Sequence, residues 1–466
     1  MASLQALHDR FGLNVAFGMR VGLADQADPM AKLIAAINAA GVRVGRINLR
    51  QTQAGSLVYD LQIFGASDQQ IQQARQAAAS VAGVTVLAMT DLALEAHRGG
   101  ACEMRSRLPI TSNTDMRVVY TPGVARICKA IEAQPALARD YTGIANKVAI
   151  ATNGTAILGL GDIGCLAGLP VMEGKSAIFW EFVKISAEPV LIKTKDADEF
   201  INIMENLAVG FGAIQVEDVA APECFKITRE LDKRLSIPVM HDDQHGTATV
   251  VLAGLFSALK KTGKRLADLR CVMSGAGAAG TAIADLLMHE GIGDVVLCDR
   301  TGALYRGGTA GMNPEKQALA ERTHKENFQG TLAEAFKGRD LFIGVSQANI
   351  VNKDMVRSMN KAPLIFALAN PVSEVSKPDA LEAGAAVYAD GRIMNNALAY
   401  PGIFRGALDL GCRIISAQMV VAAAKALAAM AHGEDLMPEM MDPATHTGVA
   451  DAVKAAAGGK QDMLVQ

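Results

Sequence analysis

Two acid pairs, Glu217-Asp218 and Asp242-Asp243, each close an apolar run: Ala213-Ile214-Gln215-Val216 before the first, Ile237-Pro238-Val239-Met240 before the second. Runs of this kind predict short buried strands. Two such strands side by side in one sheet would gather several hard oxygen ligands at one point, which is what Mg²⁺ or Mn²⁺ requires. Alone, each acid would be an ordinary surface charge. A glycine-rich stretch follows, Gly275-Ala276-Gly277-Ala278-Ala279-Gly280, in a telling setting. Arg270 to Ser274 leads in as a strand, Thr281 to Glu290 follows as a helix ended by Gly291 and Gly293, and Val295 to Cys298 forms the next strand. Asp299 closes that strand where a dinucleotide fold places the acid that bonds the adenosine ribose. Asp299 favours NAD; its neighbour Arg300 would suit the 2′-phosphate of NADP. A divalent metal beside a nicotinamide points to oxidation of a hydroxy acid that then loses CO₂.

The same glycine pattern occurs a second time, as Gly159-Leu160-Gly161-Asp162-Ile163-Gly164, after a strand-like Thr155 to Leu158. A pyrophosphate needs a helix N-terminus directly behind such a loop. Gly168, Pro170 and Gly174 come soon after, which predicts a poor helix here and no nucleotide.

The elements that must hold these residues fall into three segments. Residues 1–95 read as β-α-β-β-α-β: strand Leu13 to Val21, helix Pro29 to Ala40, strands Val42 to Thr52 and Ser56 to Phe64, helix Asp68 to Val81 with Asp68 as N-cap, and strand Val84 to Met89. That order belongs to a ferredoxin-like fold. It resembles an ACT-type regulatory domain, with Gly22 in the first strand-to-helix loop, where a small-molecule effector would bind. Residues 96–250 carry most of the unusual motifs. Residues 251–466 alternate strand and helix as a doubly wound parallel sheet, so the fold class expected is α/β behind an α+β unit. Ile414 to Ala431 predicts a buried or interface helix, and the Ala-, Gly-, Pro- and Met-rich tail past Gly433 predicts loose order.

Composition excludes several classes. In a chain of 466 residues, Lys plus Arg number 45 against 48 Asp plus Glu, so no charge excess points to nucleic acid or an anionic membrane surface. No apolar run is long enough to span a bilayer. The 7 cysteines are scattered without a C-x-x-C, which predicts buried reduced thiols in a cytoplasmic protein.

Seven motifs then occur in one order. They are Tyr120-Thr-Pro-Gly-Val-Ala125, Ile157 to Gly164, Pro170-Val-Met-Glu-Gly-Lys175, Glu217-Asp218, His241-Asp-Asp-Gln-His-Gly-Thr-Ala248, Phe366-Ala-Leu-Ala-Asn-Pro371, and Asn395-Asn396 with Pro401-Gly-Ile-Phe-Arg-Gly-Ala407. Together they resemble the malic enzyme signatures, most nearly those of the shorter bacterial enzymes. The resemblance implies that Glu217, Asp218 and Asp243 ligate Mg²⁺ or Mn²⁺. It implies that Lys175 is the general base, aided by Asp242, and that Tyr120 is the acid that protonates C3. Thr247 matches a position near the nicotinamide; Asn370, Asn395 and Asn396 match substrate positions, Asn370 also bordering the cofactor. Two departures stand out. Ala156 occupies the place of an arginine that grips the substrate carboxylate in the large eukaryotic-type enzymes, and Asn153 replaces an aspartate.

The resemblance implies oxidative decarboxylation of L-malate to pyruvate and CO₂ with NAD or NADP, in a homodimer or homotetramer. Three rivals stay open: a malolactic enzyme that retains its NADH, a dehydrogenase for another 2-hydroxy diacid, and a regulatory protein whose enzyme half is silent.

Overall fold

The computed structural model describes residues 15–24, 29–53, 56–157, 159–323, 325–370 and 372–458. The chain divides into two compact units, 1–103 and 104–466. Leu13 and the expected turn at residues 54–55 lie outside the described residues.

In the first unit, strands β1 (Val15–Ala24), β2 (Arg43–Gln53), β3 (Ser56–Gly65) and β4 (Val84–Asp91) form an antiparallel sheet in the order β2-β3-β1-β4. Helices Pro29–Ala39 and Asp68–Ala79 cover one face. Alternation along β1 turns Met19, Val21 and Leu23 inward, where they pack with Leu33, Ile37, Ile71 and Ala74. This is the ferredoxin-like arrangement. Two details differ from expectation. The cap of the second helix is Ser67, whose hydroxyl accepts from the Gln70 N–H, and not Asp68. Gly22 lies inside β1, paired with Val58 and Thr85, and not in a loop; the strand runs on to Ala24 because Leu23 still has a core site to fill.

The second unit holds two sheets. The smaller contains β5 (Lys147–Thr152), β6 (Ser186–Leu191), β7 (Ala213–Val216) and β8 (Val239–His241), all parallel, in the order β6-β5-β7-β8. The larger contains β9 (Arg270–Ser274), β10 (Asp294–Asp299), β11 (Gly302–Ala303), β12 (Leu341–Gly344), β13 (Leu364–Ala367) and β14 (Val387–Asp390). Its order is β11-β10-β9-β12-β13-β14, parallel apart from β11. The chain order reverses beside β9, the switch point at which doubly wound sheets bind ligands.

Three expectations need correction here. Gly164 is followed at once by a helix, Cys165–Val183, with Pro170 inside it. Pro170, the sixth residue, forfeits one backbone hydrogen bond, a loss offset by the side of the helix that Met172, Ser176 and Phe179 bury. Over residues 434–458 the tail is not loose: helix Pro443–Ala456 buries Thr445, His446, Val449, Ala450 and Val453 against helices Tyr400–Leu410 and Ala417–Met430. None of the seven cysteines forms a disulfide, but Cys102 and Cys128 are exposed. Among the described residues no helix is long and apolar enough to cross a membrane.

Candidate metal and nucleotide site

Strands β7 and β8 lie side by side, with Val216 in register with His241, so the acid pairs that follow them meet at one sheet edge. Glu217 and Asp218 are buried, 1% and 4% exposed. Asp218 adopts the left-handed region at φ 49°, a conformation that aspartate tolerates better than most residues; it turns the chain sharply at the strand end. Asp242 and Asp243 open a π-helical turn, Asp242–Gly246, a local irregularity that often marks functional sites. Gly246 is needed there because a Cβ would stand 2.0 Å from Asp242 Oδ1.

One oxygen from each of Glu217, Asp218 and Asp243 falls within 4.8 Å of the others. Lys175, on helix Cys165–Val183, reaches into the same place. Its Nζ lies 2.9 Å from Glu217 Oε1 and donates a hydrogen bond to Asp242 Oδ2. Burial drives the Lys175 pKa down, but the carboxylates of Asp242 and Glu217 outweigh it and hold it well above the usual value. Burial pushes the Glu217, Asp242 and Asp243 carboxyls up against the lowering pull of Lys175, and neighbouring carboxylates add to the rise at Glu217 and Asp242. Four clustered acids face a single lysine, so the centre carries more buried negative charge than Lys175 can balance. A hard divalent cation fits that excess and that all-oxygen donor set.

Gln215, on β7 and fully buried, donates to Glu217 Oε2 at 2.6 Å. Asn396 donates to Asp242 Oδ2 at 2.6 Å, so its amide faces the acid and helps to fix it. Asn395 caps the turn Asn396–Leu398, its Oδ1 accepting from the Ala397 N–H at 2.9 Å. The departure at Asn153 has a local reading. Its side-chain oxygen accepts from the Thr155 N–H and hydroxyl, a turn that an aspartate would also form. Ala156 donates its N–H to the Asp218 carbonyl at 3.0 Å, which ties that loop to the acid centre.

The nucleotide loop lies between β9 and helix Ala278–His289. Gly275 adopts φ 112°, and a Cβ on Gly280 would stand 1.8 Å from the Gly275 carbonyl oxygen. At Gly277 a Cβ would meet nothing within 4 Å, so a ligand can approach the backbone there. Ala278 and Ala279 begin the helix, whose first N–H groups have no intrahelical partner. The turn Asp242–Gly246 packs against this helix, and Thr247 begins the helix that continues the turn. The acid centre and the glycine loop are therefore neighbours. Asn370 is exposed in the loop after β13, its carbonyl 3.6 Å from a Cβ built on Gly159.

Asp299 is less free than its place implied. Its carboxylate accepts from the Thr301 N–H at 2.7 Å, from the Thr301 hydroxyl at 2.6 Å and from Lys316 Nζ at 2.5 Å. Arg300 is exposed beside it. Lys316 escapes a reading of the sequence because it sits on another helix, Pro314–Arg322, and only folding brings it to Asp299.

Tyr120 does not join the Lys175 cluster. It caps the short helix Asn113–Val119 and is 63% exposed. The tyrosine that touches the centre is Tyr400, whose ring centroid lies 4.8 Å from Lys175 Nζ. The sequence offered no signal for it beyond its nearness to Asn395 and Asn396.

Two family models match the chain: the malic enzyme N-terminal domain over residues 101–197 and the malic enzyme NAD-binding domain over residues 244–394. An NAD-dependent malic enzyme of Geobacillus stearothermophilus is 40% identical over 430 residues, 91% of this chain and 90% of that protein. A bifunctional malic/malolactic enzyme of Bacillus subtilis is 43% identical over 383 residues, 80% of this chain and 93% of that one. The crystal structure of an NAD-dependent malic enzyme from Thermotoga maritima superimposes with a TM-score of 0.75 at 39% identity, covering 78% of this chain and 99% of that one.

Proposed function

The chain belongs to the malic enzyme family, and we propose that it oxidises and decarboxylates L-malate to pyruvate and CO₂ with reduction of NAD or NADP. The observation that carries this reading is the buried junction of Lys175 with Asp242 and Glu217, beside Asp218, Asp243 and the glycine loop. Lys175 would accept the proton of the C2 hydroxyl once a cation held by Glu217, Asp218 and Asp243 offsets the carboxylates that otherwise keep its amine protonated. A nicotinamide at the glycine loop would supply the hydride acceptor. Asp242, fixed by Asn396, orients the amine and accepts its hydrogen bond. Glu217, Asp218 and Asp243 would hold Mg²⁺ or Mn²⁺, whose charge would polarise the C2 oxygen and stabilise the enolate left by CO₂. Thr247, Asn370 and Asn395 would border substrate and nicotinamide, as the likeness of their motifs to the family's implies.

Tyr120 stays in the scheme as the C3 proton donor. It lies in an exposed segment with Met104, Leu108, Ile110 and Val118, an apolar stretch that calls for a cover. We assign that cover to a second copy of the chain, whose acid centre would receive Tyr120. Light scattering should return a dimer or a larger even oligomer; a monomer contradicts this assignment. The first unit would regulate the enzyme by binding a small effector.

Coenzyme choice rests on Asp299. Its pairing with Lys316 neutralises the acid that would repel a 2′-phosphate and places a cation beside it, so NADP should be accepted as well as NAD. The malolactic reading is kept alive by the relative that does both reactions. A coupled count of CO₂ and reduced nicotinamide from L-malate with Mn²⁺, run with NAD and with NADP, separates these readings. One reduced nicotinamide per CO₂ supports oxidative decarboxylation. CO₂ without net reduction supports lactate formation, and no turnover with either coenzyme sinks both.

A further inference from the structure

Lys175 and Phe179 stand one turn apart on helix Cys165–Val183, so they share a face. Phe179 meets Tyr400 edge-on with ring centroids 5.0 Å apart, and meets Phe404, one turn beyond Tyr400, at 5.5 Å. This apolar grip fixes the Tyr400 ring, which is 1% exposed. The ring in turn stands 4.8 Å from Lys175 Nζ. The ammonium is thus bounded by Asp242 and Glu217 and by an aromatic face. The segment before Tyr400 also sends Asn396 to the far partner, Asp242, so one stretch of chain holds both members of the Lys175–Asp242 pair. The Tyr400 hydroxyl is buried and has no hydrogen-bond partner among the described residues.

We propose that Tyr400 is a positioning residue for Lys175, acting through its ring and not through its hydroxyl. The aromatic face attracts the amine's charge and closes the side of the site that the carboxylates leave open. The proposal rests on the reading of Lys175 as the base. A misplaced base costs turnover more than binding, so loss of the ring should lower kcat and leave KM and metal affinity nearly unchanged.

The test compares Tyr400→Phe with Tyr400→Leu in the full-length protein. Tyr400→Phe should keep kcat within about twofold, since the ring remains, and should melt no lower than the parent because it removes an unbonded hydroxyl. Tyr400→Leu should lose roughly 100-fold in kcat, while Mn²⁺ affinity, read by electron paramagnetic resonance of the free ion, holds. A second readout needs no turnover: the rate of reductive methylation at Lys175, followed by mass spectrometry, should rise several-fold in Tyr400→Leu and stay unchanged in Tyr400→Phe. Loss of kcat in the phenylalanine variant would transfer the role to the hydroxyl and overturn the proposal. So would a leucine variant with parental kcat and parental labelling. A parent that never turns over L-malate would sink the functional reading, and the labelling would still decide the role of the ring.

Discussion

The chain writes G-x-G-x-x-G twice, and the two loops do different work. Gly275 to Gly280 begins directly after β9, and the N–H groups of Ala276 and Gly277 bond to nothing in the described protein. Gly159 to Gly164 begins well past the end of β5. There Ile157, Leu160, Gly161, Ile163 and Gly164 spend their N–H groups on carbonyls of the loop itself or of Gly154. Both loops lead into a helix. A helix N-terminus is therefore not what separates them. One loop keeps its donors open for a ligand's anionic group; the other closes on itself and launches the helix that delivers Lys175. The pattern of glycines marks a sharp turn, and the fate of the backbone donors decides its use.

Five substitutions would break or sharpen this contrast. The largest effect is expected from Lys175→Ala, on the helix behind the closed loop. It should lower kcat by roughly 10²–10⁴-fold while thermal stabilisation by nucleotide persists; retention of activity would remove the base from this helix. Next, Glu217→Gln should weaken Mn²⁺ by at least the ~10–100-fold that loss of an outer partner costs a metal site, measured by titration of the free ion. Third, Gly280→Ala pushes a Cβ onto the Gly275 carbonyl. It should cost about 1–3 kcal/mol of stability and abolish stabilisation by NAD. Gly161→Ala has open space for its Cβ but a positive φ of 75°; it should cost about 1–2 kcal/mol and leave NAD stabilisation intact. Equal loss of NAD stabilisation in both would erase the distinction between the loops. Smallest, Lys316→Ala should shift the NADP-to-NAD preference by roughly tenfold toward NAD, the weight of one charged hydrogen bond, read from kcat/KM with each coenzyme.

Much of this arrangement is legible before folding. β9 spans the expected Arg270 to Ser274, and β7 and β8 stop directly before the expected acids because short apolar runs bounded by charge have few alternatives. What escapes the sequence is contact across it. Tyr400 sits among Leu398, Ala399 and Ile403 and reads as core; only its approach to Lys175 from another helix gives it a role. Lys316 is one charge on an ordinary surface helix until Asp299 meets it. The helix behind Gly164 hides because Gly168, Pro170 and Gly174 argue locally against it. Yet Gly168 is there for packing, since a Cβ would stand 2.4 Å from Ile157 Cδ1. Helix Pro443–Ala456 hides for a related reason: its alanines and glycine give little apolar contrast, and its burial comes from two other helices.

The most direct test of the two-loop account is diffraction from crystals soaked with Mn²⁺ and NAD, using the anomalous signal of the metal. The account predicts one strong peak among the carboxylates of Glu217, Asp218 and Asp243, with the pyrophosphate on the Gly275–Gly280 loop. Pyrophosphate density on the Gly159–Gly164 loop, or a metal peak away from those three acids, would contradict it.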